Sequence, residues 1–157
     1  MTTLQEQTTE FLAQKRIAVV GLSRTDANAA NLIYKKLKGS GHTVYAVNPN
    51  TQTIEGDPCY PDVKSLPQTP DGVVIVTRPN VTLQIVKDCD EAHIPRVWIH
   101  NSLIHGGTSL SQEAVDYCQQ HGINLIAGGC PMMFDQPVDF GHQCMRWYMR
   151  VTKQLPE

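Results

Sequence analysis

Several things are missing from this chain, and each absence removes a class of protein. No apolar run approaches the length that crosses a bilayer, so no membrane partner is expected. The start, Met1-Thr2-Thr3-Leu4-Gln5-Glu6, lacks the basic segment and apolar core of a secretory signal, which predicts a cytoplasmic protein. A formal net charge of -2 argues against a chain that coats nucleic acid. The five cysteines, at positions 59, 89, 118, 130 and 144, form no Cys-x-x-Cys pair. Reduced, mostly buried thiols are therefore expected rather than disulfides. His142-x-Cys144 is the nearest approach to a ligand pair, and its spacing is not that of a structural zinc site. Internal repeats, charge blocks and low-complexity tracts are also missing. What remains is 157 residues, 41% hydrophobic and 18% charged, the composition of a soluble globule read as one domain over 1–157.

The hydrophobic pattern alternates between two periods. Short aliphatic runs at Ile17–Leu22, Thr43–Val47, Val73–Val76, Arg96–His100 and Ile123–Ala127 read as strands. Between them lie segments with helical spacing: Ala29–Lys38, stopped by Gly39-Ser40-Gly41; Val81–Ala92, expected to start at Asn80 with Pro79 just before it; and Ser109–Gln120, ended by Gly122. A sparse N-terminal helix is expected over 3–14, and a helical tail over 135–157 with its helix at Gly141–Lys153. Ile54-Glu55-Gly56 reads as a turn. The expected fold is thus α/β: a single Rossmann-like three-layer domain with a mainly parallel sheet of about five strands and helices on both faces.

In such sheets ligands sit at the carboxyl ends of the strands, where the strand order reverses. The candidate site is therefore Gly21-Leu22-Ser23-Arg24, Asn48-Pro49, Thr77-Arg78-Pro79 and, one strand further, His100-Asn101. A glycine at the end of the first strand lets backbone approach a phosphate, and the following helix N-terminus attracts an anion. The dinucleotide fingerprint Gly-x-Gly-x-x-Gly reads here as Gly21, Ser23 and Asp26, so only its first glycine is present. The second strand ends in Asn48-Pro49 rather than in the acid that holds a ribose. Both features count against NAD, while Arg24 keeps a phosphorylated ribose, as in NADP, open.

The runs Ala18-Val19-Val20-Gly21-Leu22-Ser23, Gly41 through Pro49, Ile54-Glu55-Gly56, Cys59-Tyr60-Pro61, Val76-Thr77-Arg78-Pro79, Val97-Trp98-Ile99, Gly122 through Ile126 and Cys130-Pro131 resemble the CoA-binding domain family. That family often stands alone and is similar to the N-terminal domain of the succinyl-CoA synthetase alpha subunit. The resemblance runs from about Arg16 to Met133. It implies coenzyme A or an acyl-CoA as ligand. Gly21, Leu22 and Ser23 would face the phosphates, Arg24 or Arg78 would pair one of them, and Asn48-Pro49 would wall the adenosine end, with Thr77, Arg78 and Pro79 beside it. It also implies no catalysis within this chain, because the related ligases keep their phosphorylated histidine and nucleotide-grasping unit in other domains. The chain departs from the family at His100-Asn101-Ser102, at Ile104-His105-Gly106-Gly107 and at Met132-Met133-Phe134.

Other readings stand beside this one. Gly21-x-Ser23 is equally the form of a plain strand–helix turn, and Asn48-Pro49 that of a strand stop. A small NADP-dependent oxidoreductase or sensor and a thiol enzyme using Cys130 with His100 or His105 are the alternatives of function. In the tail, Met132, Met133, Phe134, Met145, Trp147, Tyr148 and Met149 suit either core packing or a homodimer interface.

Overall fold

The strands find their order through parallel pairing. In a computed structural model, describing residues 2–25, 28–103 and 107–157, β1 (Arg16–Val20) lies between β2 (Thr43–Val47) and β5 (Gly72–Ile75). Then β6 (Arg96–Ile99) and β7 (Asn124–Ala127) extend the sheet on the β5 side. Two further strands, β3 (Thr53–Ile54) and β4 (Asp57–Tyr60), lie beyond β2, giving the order β3-β4-β2-β1-β5-β6-β7. All neighbours are parallel except the β3–β4 hairpin, which turns through Glu55 and Gly56 at φ 52° and 86°. The sheet is therefore mixed and mostly parallel, with seven strands rather than about five. The two extra strands are short, polar and interrupted by Pro58, a pattern that carries no strand period.

Among the described residues, five helices cover this sheet. On one face lie α1 (Leu4–Leu12), α2 (Ala29–Gly39) and α5 (Phe140–Val151); on the other lie α3 (Pro79–Glu91) and α4 (Gln112–His121). The strands feed both layers by simple alternation: Ile17, Val19, Val74 and Trp98 pack under α2 and α5, while Ala18, Val20, Val73 and Ile99 pack under α3 and α4. Burying side chains such as Ile33, Leu37 and Val86 contributes about 1.5–3 kcal/mol each.

Helix ends follow their caps. A capping box between Thr3 and Glu6 starts α1, so the helix is shorter than the expected 3–14. Its Phe11 lies against Gly72, where a β-carbon would come within 2.7 Å of the ring, and edge-on to Trp98 at 5.4 Å between centroids. Asn28 caps α2 and Asp139 caps α5, each accepting from a backbone N–H three residues on. Arg78 takes the N-cap position of α3 with Pro79 inside its first turn, so the helix begins before the expected Asn80. In the tail only 140–151 is helical, preceded by a short 3-10 turn at Pro131–Met133. Asp26 and His105, named above in the fingerprint and the thiol-enzyme reading, lie outside the described residues, as do Ile104 and Gly106. Among the described residues no helix is long and apolar enough to cross a membrane.

Candidate functional site

The loop after β1 is built by asparagines. Asn28 donates to the Gly21 carbonyl at 3.1 Å, and Asn48 donates to the Leu22 carbonyl at 2.5 Å. Asn31, only 4% exposed, closes a pair of bonds with Ser23: it accepts from the Ser23 N–H at 2.8 Å and donates to the Ser23 carbonyl at 2.9 Å. Gly21 N–H donates to the Val47 carbonyl. Of the three N–H groups expected to face a phosphate, two are thus spent on the fold, and the Leu22 N–H has no partner among the described residues.

Gly21 itself answers first to the protein. Its φ is +108°, and a β-carbon there would stand 1.9 Å from the Val76 carbonyl oxygen. The residue must be glycine because the end of β5 packs onto it, whether or not a ligand also approaches.

Above this loop opens a cleft of about 430 Å³, where β1 meets β2 on one side and β5 on the other. That is the point at which the strand order reverses. Gly21, Leu22, Asn48, Pro49 and Thr77 line it together, so five of the expected residues converge. Asn48 is held by its side-chain bonds to Leu22 and to the Asn50 N–H, and its own N–H donates to Tyr60. Thr77 N–H donates to the Ser109 hydroxyl at 2.9 Å, and Thr82 donates to the Ser109 carbonyl at 2.7 Å.

The remaining expected residues fall elsewhere. Ser23 and Arg24 line a separate depression with Asn31, Thr53 and Glu55, beside the β3–β4 hairpin. Arg78 and Pro79 are exposed at the start of α3 and are not part of the cleft wall. His100 is 1% exposed and lines a second, smaller pocket under α5. Asn101 is committed to backbone pairing, with its N–H on the Gly129 carbonyl and a bridge to Thr108. The reason is geometric: α3 walls the cleft from one face of the sheet, whereas α2 and α5 wall the His100 pocket from the other, so one edge of the sheet carries more than one recess.

Sequence reasoning missed the far wall of the cleft. Pro61, Asp62 and Val63 reach it from the crossover after β4, and Val81, Ile85 and Asp88 from α3. The α3 helix was legible from its spacing, but its two apolar faces were not told apart. Thr82, Val86 and Cys89 turn to the sheet and are buried, whereas Val81, 43% exposed, and Ile85 turn to the cleft. Among the described residues no lysine or arginine lines the cleft; its charges are the carboxylates of Asp62 and Asp88. Asp62 caps the 3-10 turn at Val63–Ser65, and Asp88 pairs with Lys64 at 3.3 Å.

Neither His100 nor Cys130 has the state of an activated catalytic group. Burial lowers the His100 pKa to about 4, so the ring is neutral at pH 7. Burial raises the Cys130 thiol to about 12, which keeps it protonated. All five cysteines are free, and only Cys144 is exposed. Among the described residues no three His, Cys, Asp or Glu side chains form a group able to hold a metal.

A doubly covered parallel sheet with a cleft at its switch point defines a nucleotide-binding α/β domain. Within that class, residues 15–136 match the CoA binding domain, and the chain belongs to this family. Its ligand class is accordingly coenzyme A, free or acylated. Curated relatives include acetate–CoA ligase (ADP-forming) I of Archaeoglobus fulgidus, 29% identical over 79% of this chain and 19% of the relative. The alpha subunit of acetate–CoA ligase (ADP-forming) II of Pyrococcus furiosus is 26% identical over 76% of this chain and 27% of its own. The chain spans about a fifth of the length of the first of these. Among solved structures, a hypothetical protein from Pyrococcus horikoshii superposes with a TM-score of 0.78 at 27% identity, covering 87% of this chain and 92% of that one. The dinucleotide-forming acetyl-coenzyme A synthetase 1 of Ca. Korarchaeum cryptofilum, in complex with phosphate and ADP, gives 0.62 at 27% identity, over 73% of this chain and 25% of that one.

Proposed function

We propose that this chain binds coenzyme A or an acyl-CoA with the nucleotide in the cleft over β2, β1 and β5, and that it performs no chemistry of its own. The observation that carries this reading is the convergence of Gly21, Leu22, Asn48, Pro49 and Thr77 at the switch point. The cleft suits the adenosine part of the ligand: Leu22, Pro49, Val63, Val81 and Ile85 offer apolar surface to a base, and Asp62 and Asp88 can accept from its amine or from ribose hydroxyls. With no cation in the wall, the phosphates belong at the outer rim, where the Leu22 N–H is unspent and Arg24 and Arg78 are exposed. The neutral His100 and protonated Cys130 support a binding role over a catalytic one. Free thiols throughout support residence in a reducing cytoplasm. The homodimer rests on α5, whose Phe140, Trp147 and Val151 are 80, 66 and 62% exposed along one side.

Isothermal titration tests the reading. Coenzyme A is expected to bind, and Val81→Trp, which fills the cleft from an exposed position, is expected to weaken it more than about tenfold, or about 1.4 kcal/mol. Binding of NADP but not coenzyme A would overturn it.

A further inference from the structure

The pocket under α5 has a chemistry the cleft does not. It encloses about 210 Å³ between α2, the ends of β6 and β7, and the first turn of α5. Ala29, Leu32, Met132 and Met145 give it apolar walls. Into this setting projects His100, and neither of its ring nitrogens has a hydrogen-bond partner among the described residues although the side chain is buried. A neutral imidazole carries one donor and one acceptor. Leaving such buried groups unpaired is costly, and folds tolerate it at functional positions.

We propose that this pocket binds a short, uncharged acyl group, hydrogen-bonded through its carbonyl or amide to His100. The size argues for a small group, because drug-sized ligands need roughly 300 Å³ or more. The lack of charge follows from the walls. His100 is held neutral by burial, and the Asp139 carboxylate in the pocket wall, bonded to His142 Nδ1 at 2.5 Å, disfavours an anion. An oxygen acceptor is favoured by the N-terminal turns of α2 and α5, which reach the pocket at Ala29 and Gly141. Cys130 contributes a protonated thiol and no charge.

The group has two conceivable sources. It can be the acyl end of a CoA thioester, a case that rests on the function proposed above, or a free small amide. The first is geometrically natural. His100 lies two strands from Gly21 along the same sheet edge, a span of roughly 10 Å. A pantetheine arm covers that distance.

The experiment titrates the protein with coenzyme A, acetyl-CoA and butanoyl-CoA, and separately follows the His100 ring resonances by NMR while butanamide is added. Each buried methylene tightens binding about fourfold, so butanoyl-CoA should bind about fifteenfold more tightly than acetyl-CoA. Leu32→Trp, which fills the pocket from a half-buried position, should erase that chain-length dependence and leave the affinity for coenzyme A unchanged. If acyl length has no effect but butanamide shifts the His100 resonances in the wild type and not in Leu32→Trp, the pocket takes the free amide. If neither chain length nor butanamide has an effect, the pocket holds only water and the inference is overturned, while binding of coenzyme A stands. If coenzyme A itself fails to bind, the function proposed above falls, and the butanamide arm still decides the pocket.

Discussion

The cleft and the inner pocket lie on one edge of one sheet, yet they treat their polar groups in opposite ways. Around the cleft, three asparagines bond all three carbonyls of the Gly21–Ser23 loop and the Ser23 N–H, and Ser109 ties down Thr77. In the pocket, His100 is only 1% exposed and its ring nitrogens have no partner among the described residues. The cleft is therefore a shape, rigid and pre-formed by internal bonding. The pocket is a demand, with capacity left over for something else. Rigid shape favours affinity by limiting the ordering cost of binding, and unmet capacity favours discrimination.

Four substitutions or titrations break or sharpen this contrast. The largest effect belongs to the cleft. Gly21→Ala drives a β-carbon into the Val76 carbonyl and should cost more than about 4 kcal/mol, read as loss of soluble protein or of cooperative urea unfolding. Gly41→Ala, also at positive φ but with open space around it, serves as the control at about 1 kcal/mol.

Next comes the pocket. The pKa of His100 is about 4 in the fold and about 6.5 when unfolded. Between these values the unfolded chain binds more protons, so stability rises with pH; it is fully present above pH 6.5 and is lost as pH falls towards 4. The slope approaches 1.4 kcal/mol per pH unit between pH 6 and 5. Urea midpoints measured across that interval should fall with acidity, and His100→Asn should flatten the trend. An equal slope in the variant would mean that other groups carry it.

Smaller again is Asn31→Ala, which strips both partners from the Ser23 backbone. A loss of about 1–3 kcal/mol in stability is expected, with weaker coenzyme A binding as the loop loosens. If affinity is unchanged while stability drops, the loop is scaffold and not site. The smallest effect is Trp147→Glu on the open side of α5, within about 0.5 kcal/mol for the folded monomer. Light scattering should nonetheless report a lower mass if this side joins two copies; an unchanged mass would remove the dimer.

How much of this was legible beforehand depends on the distance over which each signal acts. The five central strands, the layers and the ligand edge follow from periodicity, which is local and repeated. The β3–β4 hairpin was not legible, because two- and four-residue strands containing Pro58 have no period to read. The strand-end residues were legible as a set. Their division between recesses was not, since it depends on what stands beside each strand end: α3 beside Thr77, α2 and α5 beside His100, and the β3–β4 hairpin beside Arg24. The tail aromatics and methionines were read as either core or interface, and the helix divides them between a buried and an exposed side. Met145 and Met149 are buried on one side, and Trp147 is exposed on the other. Pro61, Asp62 and Val63 carried no signal that would place them at the cleft, because a crossover loop brings them there.

The two tryptophans occupy opposite extremes. Trp98 is fully enclosed, with its indole N–H on the Gly128 carbonyl at 3.0 Å and its ring against Phe11, whereas Trp147 is two-thirds exposed. The molecule thus carries two optical channels. Emission from Trp98 is shielded from aqueous quenchers until the sheet comes apart, so it follows unfolding. Emission from Trp147 is open to quenching in the native state and follows whatever covers α5. In a Trp147→Phe background, fluorescence becomes a single-residue record of the core.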